Sequence, residues 1–352
     1  MREYHKLLPL RICRSERRAS CTRVAAHSGT SAHLRNLVVA RYEHLMSTSR
    51  RSRMQRTRTG KRLMLTERDL TIFRWLSRYR YLRSTYLHAF AGGASETRLK
   101  ERLGDLFHES YLDRPEEQWR FADCRHTPAI YELGRGGRQA LGNAEFSGDE
   151  RRVLLGQGAH RQFAHSLMIC EVLASIELAA LGMPNLRFVP LPEILAKAPE
   201  ATRTATFPLR IPLGPGDGGH VVPDALFGLE YVSGARFSYR FFALEADRGT
   251  MPVNRIDSRQ TSLAGKITAY RQVLMRRLHR SHLGLPNLLV LLATASPARL
   301  DNIASVLGQA GGEAAFLFTA TTPQSLVRPC PGLLTAPWHR AGVSALRIDN
   351  TA

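Results

Sequence analysis

Carboxylate residues stand at the ends of two neighbouring apolar segments in the second half of the chain. Asp224 follows a proline at the first segment, and the second segment ends in Glu245-Ala246-Asp247. Because side chains alternate along a strand, Glu245 and Asp247 should share one side, where a neighbouring strand could add Asp224. Three such oxygen ligand groups suit Mg²⁺ or Mn²⁺ rather than zinc. The spacing therefore predicts a divalent-metal site for phosphodiester chemistry, with Asp224 and Glu245 as the metal ligands.

Two further residues are candidates to assist these acids. A long helix is predicted over 163–181, and Glu177 falls inside its apolar face, where a buried carboxylate needs a partner or a metal. Lys266 lies near the start of a later predicted helix and could bring an ammonium group to the acids. On the first helix, Glu171 is interpreted as a solvated residue, and His165 as a hydrogen-bonded histidine of the core or the surface, with a role in the site as the alternative.

The acids also have an interpretation that involves no chemistry. They would then end strands at the surface or pair with nearby cations, of which the sequence offers Arg248, Arg255 and Lys266. Asp224 after a proline also fits an ordinary turn at a strand boundary. The residue types alone leave both alternatives open.

Apolar runs between Pro and Gly clusters predict an α/β (α+β) fold for this part of the chain. A helix precedes several strands, and further helices alternate with the last strands, which implies a mixed sheet covered by helices. The predicted strands are 186–191, 206–212, 221–229, 237–244, 288–293 and 314–318, and the predicted helices are 163–181, 262–278 and 299–307.

The segment before this region has the pattern of a winged helix-turn-helix. Thr66 to Asp69 resembles a capping box that begins the first of three short helices, and Gly92-Gly93 forms a tight turn before the third. Two strand-like runs follow, at 111–112 and 129–133, joined by a polar, charged loop. Such a module places its third helix in the major groove of DNA and its wing along phosphates.

The basic residues of this module are the candidates for DNA contact. Arg98 and Lys100 are predicted to enter the groove, and the predicted phosphate contacts are Arg83, Arg102, Arg120 and Arg125. The alternative is a winged helix that docks on protein, because three acids on the third helix repel phosphate. These acids are Glu96, Glu101 and Asp105.

The composition places the positive charge in one part of the chain. The formal net charge is +20, and residues 1–62 contain 16 Lys or Arg against three Glu. This Arg-rich segment has no sustained period and is predicted to be disordered, unless translation starts at Met46 or Met54. No apolar run approaches the roughly 20 residues of a membrane span. Five widely spaced cysteines without a Cys-x-x-Cys pair predict a reducing cytoplasm.

The order of the acidic motifs resembles the PD-(D/E)XK nuclease-like superfamily. Pro223-Asp224 on one strand and Glu245-x-acid on the next stand between two predicted helices. The resemblance implies a restriction-endonuclease-like α/β domain. The third motif residue of that superfamily is a lysine, which Asp247 replaces here. Lys266 on the following helix is the candidate to take its role, with Tyr270 one turn further on.

Longer motifs resemble the replication-relaxation family of bacterial plasmids and integrated elements. They are Leu65-Thr66-Glu67-Arg68-Asp69, Tyr131-Glu132-Leu133-Gly134, Val222-Pro223-Asp224-Ala225, and the run from Phe242 to Thr250. The resemblance implies a DNA-associated role in plasmid replication, or in the relaxation that precedes mobilisation. It makes DNA the expected partner, with a relaxase or a replication initiator as the candidate protein partner and no membrane.

These observations divide the chain into four parts. A disordered tail covers 1–62, a winged-helix domain 63–145, a nuclease-like α/β domain 155–320 and a C-terminal extension 321–352. Within the extension, 329–338 is either a packed lid or a docking strip. Three functions remain open: a DNA-binding accessory protein, an Mg²⁺- or Mn²⁺-dependent nuclease or nickase, and a winged-helix transcription regulator. No other cofactor is expected.

Overall fold

A computed structural model describes residues 52–93, 95–142, 163–214, 219–249, 263–308 and 314–350. The predicted disordered tail lies outside these residues up to position 51. Its last part, 52–62, has no helix or strand but is held on a neighbouring helix by hydrogen bonds: Arg56 Nε donates to the Phe107 carbonyl at 2.8 Å and the Thr57 amide to His108 Nδ1 at 3.1 Å. This segment is therefore docked on the ordered region that follows it.

The N-terminal module contains three helices and a small antiparallel sheet. Its elements in chain order are α1 Glu67–Arg78, β1 Leu82–Arg83, α2 Ser84–Ala91, α3 Glu96–His108, β2 Leu112–Asp113, β3 Ile130–Leu133 and α4 Arg135–Leu141. The strands pair in the order β1-β3-β2. A capping box at Thr66 and Asp69 begins α1, as the sequence predicted. This order of helices and strands is the order that the predicted winged helix needs.

The larger part of the chain is built on a five-stranded mixed sheet. The strands are β4 Leu186–Val189, β7 Ala225–Ser233, β8 Arg236–Asp247, β9 Leu289–Thr294 and β10 Phe316–Ala320, which lie side by side in this order. β4, β7 and β8 are antiparallel neighbours, whereas β8, β9 and β10 are parallel. The helices α5 Phe163–Leu181, α8 Leu263–Met275 and α10 Ala298–Gly308 accompany them. The predicted mixed α/β fold is confirmed.

A small subregion is inserted between β4 and β7. It comprises α6 Leu191–Ala196, α7 Glu200–Arg203, β5 Ile211–Pro212 and β6 His220–Val221, and it is completed by α9 Leu278–Leu283. β5 and β6 form a separate antiparallel pair. The single strand predicted over 221–229 is therefore two strands, and Asp224 lies in the connection between them.

Two hydrophobic clusters lie on the two faces of the sheet. Alternate β8 residues, Phe242 and Leu244, join a cluster with Leu167 of α5, which also includes the core of the N-terminal module. Ala243 joins the other cluster with Ile267 of α8. This alternation follows from the two-residue period of a strand. It places the side chain of Glu245 on the α8 side.

The C-terminal residues are packed against the rest of the chain. Trp338 is 1% exposed, and its indole N–H donates to the Leu333 carbonyl of the short helix α11 Gly332–Thr335. The Tyr86 hydroxyl of α2 is 3.1 Å from the carbonyl oxygens of Leu326 and Arg328. Of the two alternatives for 329–338, packed segment or docking strip, the first agrees with this burial.

The expectation that no apolar run approaches a membrane span is wrong for α5, which alone among the described helices has the length and hydropathy of one. Of its apolar stretch, 72% is buried inside the protein. Packing between the sheet and the N-terminal module accounts for its apolar character.

Candidate functional site

Strand pairing brings two of the three predicted acids together. Ala225 of β7 lies opposite Leu244 of β8, so that Asp224, one residue before β7, is next to Glu245. The Ala246 backbone N–H donates to Asp224 Oδ2 at 2.9 Å and fixes this carboxylate at the edge of the sheet. Both acids are almost fully buried, Asp224 at 2% and Glu245 at 3% exposure.

Helix α8 closes the site from the second face of the sheet. Lys266 Nζ forms an ion pair with Glu245 Oε2 and lies 3.4 Å from Asp224 Oδ1. One turn further along, the Tyr270 hydroxyl donates to Glu245 Oε1 at 2.6 Å. The helix therefore presents an ammonium group and a phenol to the carboxylates. Lys266 remains the candidate for the role of the motif lysine.

A histidine on α5 completes the cluster. His165 Nε2 lies 3.2 Å from Asp224 Oδ2, and its side chain is 23% exposed. The sequence predicts a histidine of the core or the surface, with a site role as the alternative, and does not connect it to the acids. No spacing in the sequence could have done so, because α5 and β7 are separated by β4 and the inserted subregion.

Burial disfavours the charged form of a carboxylate in this site. Burial and the neighbouring Asp224 carboxylate together raise the pKa of Glu245 to about 7, against the opposing effects of Lys266 and Tyr270. A second cation near the two acids would therefore be favoured by their mutual repulsion.

The third predicted acid does not join the cluster. Asp247 shares the side of β8 with Glu245 but accepts a hydrogen bond from Arg299 Nε at 2.6 Å, and its other oxygen accepts from the Gly249 backbone N–H at 3.0 Å. The expected set of three ligand carboxylates is therefore reduced to two, because an arginine from α10 holds the third.

Glu177 is also absent from the site. It lies twelve residues after His165 on α5, which corresponds to roughly 18 Å along a helix. Its carboxylate instead pairs with Arg78 at 2.8 Å and accepts a hydrogen bond from the Tyr79 hydroxyl. The prediction that Glu177 is buried with partners is correct, but its role in assisting the acids is wrong.

Of the six residues predicted to contact DNA, four are exposed, one is partly exposed and one is buried. Arg98, Arg120 and Arg125 are exposed and form no ion pair with any residue that the structure describes. Lys100 is exposed too, but lies 2.9 Å from Glu96. Arg102 is only partly exposed, because its guanidinium binds both oxygens of Asp69 at 3.0 and 2.7 Å.

Arg83 is placed differently from its prediction. It is buried and its Nε donates to Glu171 Oε1 at 2.5 Å. Arg83 cannot reach a phosphate from this position, and the interpretation of Glu171 as a solvated residue is wrong. Both errors have one cause: the N-terminal module packs against α5, which the sequence pattern does not reveal.

The donor set decides which metal this site could hold. No group of three or more His, Cys, Asp or Glu suited to a metal occurs among the described residues. Two carboxylates are hard oxygen donors, which suit Mg²⁺ or Mn²⁺ better than zinc, although each of their four oxygens already contacts a protein group. Lys266 contacts one oxygen of each acid, so a metal held by Asp224 and Glu245 would have to compete with its ammonium group.

Comparison with known proteins identifies the family of the chain. No curated protein and no solved structure matches the chain. The sequence model of the replication-relaxation family matches residues 73–288, which include the greater part of the N-terminal module, α5, the acidic cluster and α9. This match covers more than half of the chain, which therefore belongs to the replication-relaxation family.

Proposed function

We propose that the protein binds DNA in replication or relaxation through its N-terminal module. Membership of the replication-relaxation family supports a role in replication or relaxation. The observation that carries DNA binding is the placement of Arg98 in the first turn of α3, directly after the glycine turn, where it is exposed. The N-terminal end of the third helix is the part that a winged helix inserts into the major groove.

The segment between β2 and β3 supports the same proposal. Arg120 and Arg125 lie there, both exposed, at the place where a wing runs along phosphates. Acids on α3 oppose DNA binding, but Glu96 is neutralised by Lys100, which lowers its pKa. Docking on another protein through this surface is the competing interpretation.

Fluorescence anisotropy with labelled plasmid-derived duplexes tests this proposal. We expect Arg98→Ala to weaken binding by a factor of about 10 to 100, as the loss of one base-edge contact does, and to relax sequence preference. Arg120→Ala and Arg125→Ala should weaken all sequences alike and reduce the salt dependence. Arg74→Ala, an exposed arginine of α1, is the control. Binding that is unaffected by all three variants would leave the module a protein-docking surface.

A second candidate function is metal-dependent nicking of DNA. The contact of Lys266 with both Asp224 and Glu245 favours it, because two carboxylates could hold a divalent metal and the nearby ammonium could stabilise charge at a phosphate. Asp224 and Glu245 would hold Mg²⁺ or Mn²⁺, which supplies phosphate polarisation and water activation. Lys266 would stabilise negative charge at the phosphate, and Tyr270 orients Glu245.

Incubation of supercoiled plasmid with Mg²⁺, Mn²⁺ or EDTA tests this candidate. Open circles that need the metal and are lost in Asp224→Asn and Glu245→Gln would establish nicking. Asp247→Asn is the matched control, because Asp247 is bound to Arg299 and should not be required. Supercoils that persist while DNA is bound would make the protein an accessory factor on a nuclease-like scaffold.

A further inference from the structure

The functions proposed above use no residue of a basic surface that lies outside the N-terminal module. Between residues 258 and 300 the sequence contains seven Lys or Arg and no Asp or Glu. Three of these residues, Arg276, Arg277 and Arg280, are exposed around the turn from α8 to α9. Arg203 at the end of α7 and Arg210 before β5 are also exposed. We refer to these five arginines as the α9 basic face.

Hydrogen bonds hold the elements of the α9 basic face together. The Thr202 hydroxyl of α7 donates to the His282 carbonyl of α9, and His282 Nε2 lies 2.8 Å from the Pro208 carbonyl before β5. Arg276 donates to the Leu213 carbonyl after β5. Arginines from three separate segments of the chain are thus displayed on one connected subregion.

These arginines are short of negative partners. None of the five forms an ion pair with a residue that the structure describes, and Glu200 is the only carboxylate in the described stretches 197–214, 219–222 and 276–286. The positive potential acts on neighbouring histidines. Burial lowers the pKa of His279, and Arg280 and Arg277 lower it further; burial and Arg210 do the same to His220. An arrangement of unneutralised arginines suits a polyanion.

Two elements lead from this face to the acidic cluster. β6 begins at His220, four residues before Asp224, a distance of roughly 13 Å along an extended chain. α8 contacts β6 and runs from Lys266 to its end near Arg276, ten residues or roughly 15 Å along a helix. Because phosphates of one duplex strand are about 3.4 Å apart along the axis, the interval corresponds to about four nucleotides.

We propose that the α9 basic face binds the phosphate backbone of the DNA whose next nucleotides reach the Asp224–Glu245–Lys266 cluster. This proposal rests on the proposed function and adds a second DNA contact, separate from the N-terminal module. The face reads no base sequence, since it offers exposed guanidinium groups to phosphates. It positions the strand relative to the acidic cluster.

The salt dependence of duplex binding tests the proposal on the full chain. Arg203→Ala/Arg210→Ala/Arg277→Ala removes three charges from the face, and we expect the slope of log K against log salt concentration to fall by about 2.7, the value for three phosphates. Arg74→Ala/Arg236→Ala/Arg347→Ala removes three exposed charges elsewhere and controls for net charge. It should bind as the wild type does.

A second readout reports on the face directly. NMR titration of His220 should give a higher pKa with a bound duplex than without, because a phosphate at Arg210 cancels the charge that now lowers it. Wild-type binding with an unchanged slope in the triple variant, or an unchanged His220 pKa, would overturn this inference alone. A wild-type chain that neither binds nor nicks DNA would defeat the proposed function as well. Tighter binding to anionic vesicles, lost in the triple variant, would assign the face to another polyanion.

Discussion

Arg83 and Glu171 form an ion pair inside the protein, with Nε and Oε1 2.5 Å apart and side chains that are 7% and 4% exposed. Arg83 ends β1 in the N-terminal module, and Glu171 lies in the middle of α5. The pair therefore joins the module to the helix that covers the five-stranded sheet. An arginine chosen for DNA contact by its type serves instead to join two parts of the fold.

Removal of Arg83 should destabilise the protein. Arg83→Ala leaves the buried Glu171 carboxyl without its partner, and we expect the free energy of unfolding to fall by about 3 to 5 kcal/mol. Urea denaturation measures this change. Arg80→Ala, an exposed neighbour stacked on Tyr81, should cost less than about 1 kcal/mol. Weaker DNA binding by Arg83→Ala without any loss of stability would contradict the buried placement.

Stability should decrease as pH rises through the acidic range. Burial raises the pKa of Glu171 to about 7, against the opposing effect of Arg83, and the pKa of Glu245 is raised to about 7 by burial and Asp224. In the unfolded chain a glutamate has a pKa of about 4.3. The folded state thus binds more protons between these values, and the free energy of unfolding falls between pH about 4.5 and about 7.

Urea unfolding at pH 5, 6 and 7 measures this dependence. Glu171→Gln and Glu245→Gln should each flatten the pH profile relative to the wild type, whereas Glu116→Gln, an exposed control, should leave it unchanged. Equal slopes in all four proteins would show that neither carboxyl takes up a proton on folding in this range.

Replacement of Lys266 should strengthen metal binding. In Lys266→Ala the oxygens of Asp224 and Glu245 lose the ammonium that lies between them, and their repulsion is relieved by a divalent cation. We expect Mn²⁺, followed by electron paramagnetic resonance, to bind the variant at least about tenfold more tightly than the wild type, a gain of about 1.4 kcal/mol. Lys197→Ala is the control. Weaker Mn²⁺ binding in Lys266→Ala would show that the ammonium does not occupy the cation position.

Two glycines of the N-terminal module should respond oppositely to alanine. A Cβ at Gly134 would lie 2.7 Å from the Ser110 carbonyl oxygen and 2.9 Å from the Tyr111 backbone, so Gly134→Ala should cost about 1 to 3 kcal/mol. A Cβ at Gly104 of α3 meets nothing within 4 Å, and Gly104→Ala should stabilise the helix by about 0.5 to 1 kcal/mol. Thermal unfolding compares the two; a Gly134→Ala variant as stable as the wild type would refute the close approach.

The local sequence pattern predicted the strands of the sheet better than it predicted which side chains would contact each other. The period of β8 placed Glu245 and Asp247 on one side of the strand, and the structure agrees. It could not show that Arg299, which follows β9 in the chain, would hold Asp247 while Lys266 turned toward Glu245. Side-chain period is a property of one strand, whereas an ion pair depends on how distant segments meet.

The same limit explains the errors on α5. Helical periodicity predicted that Glu177 is buried, and its exposure is 4%. The partners that make this burial possible, Arg78 and Tyr79, come from the end of α1 and the turn after it. The contact between His165 and Asp224 was not predicted, because Asp224 lies beyond β4 and the inserted subregion in the chain.

The hydrogen bonds of Tyr86 to Leu326 and Arg328 have a consequence for synthesis of the protein. The ribosome makes the N-terminal module first, but the carbonyl group of Leu326 that receives this hydroxyl is translated 240 residues later. A nascent chain that is still short of these residues leaves α2 without a covering segment. The burial of Tyr86 is therefore completed only after residues 326–328 have been synthesised.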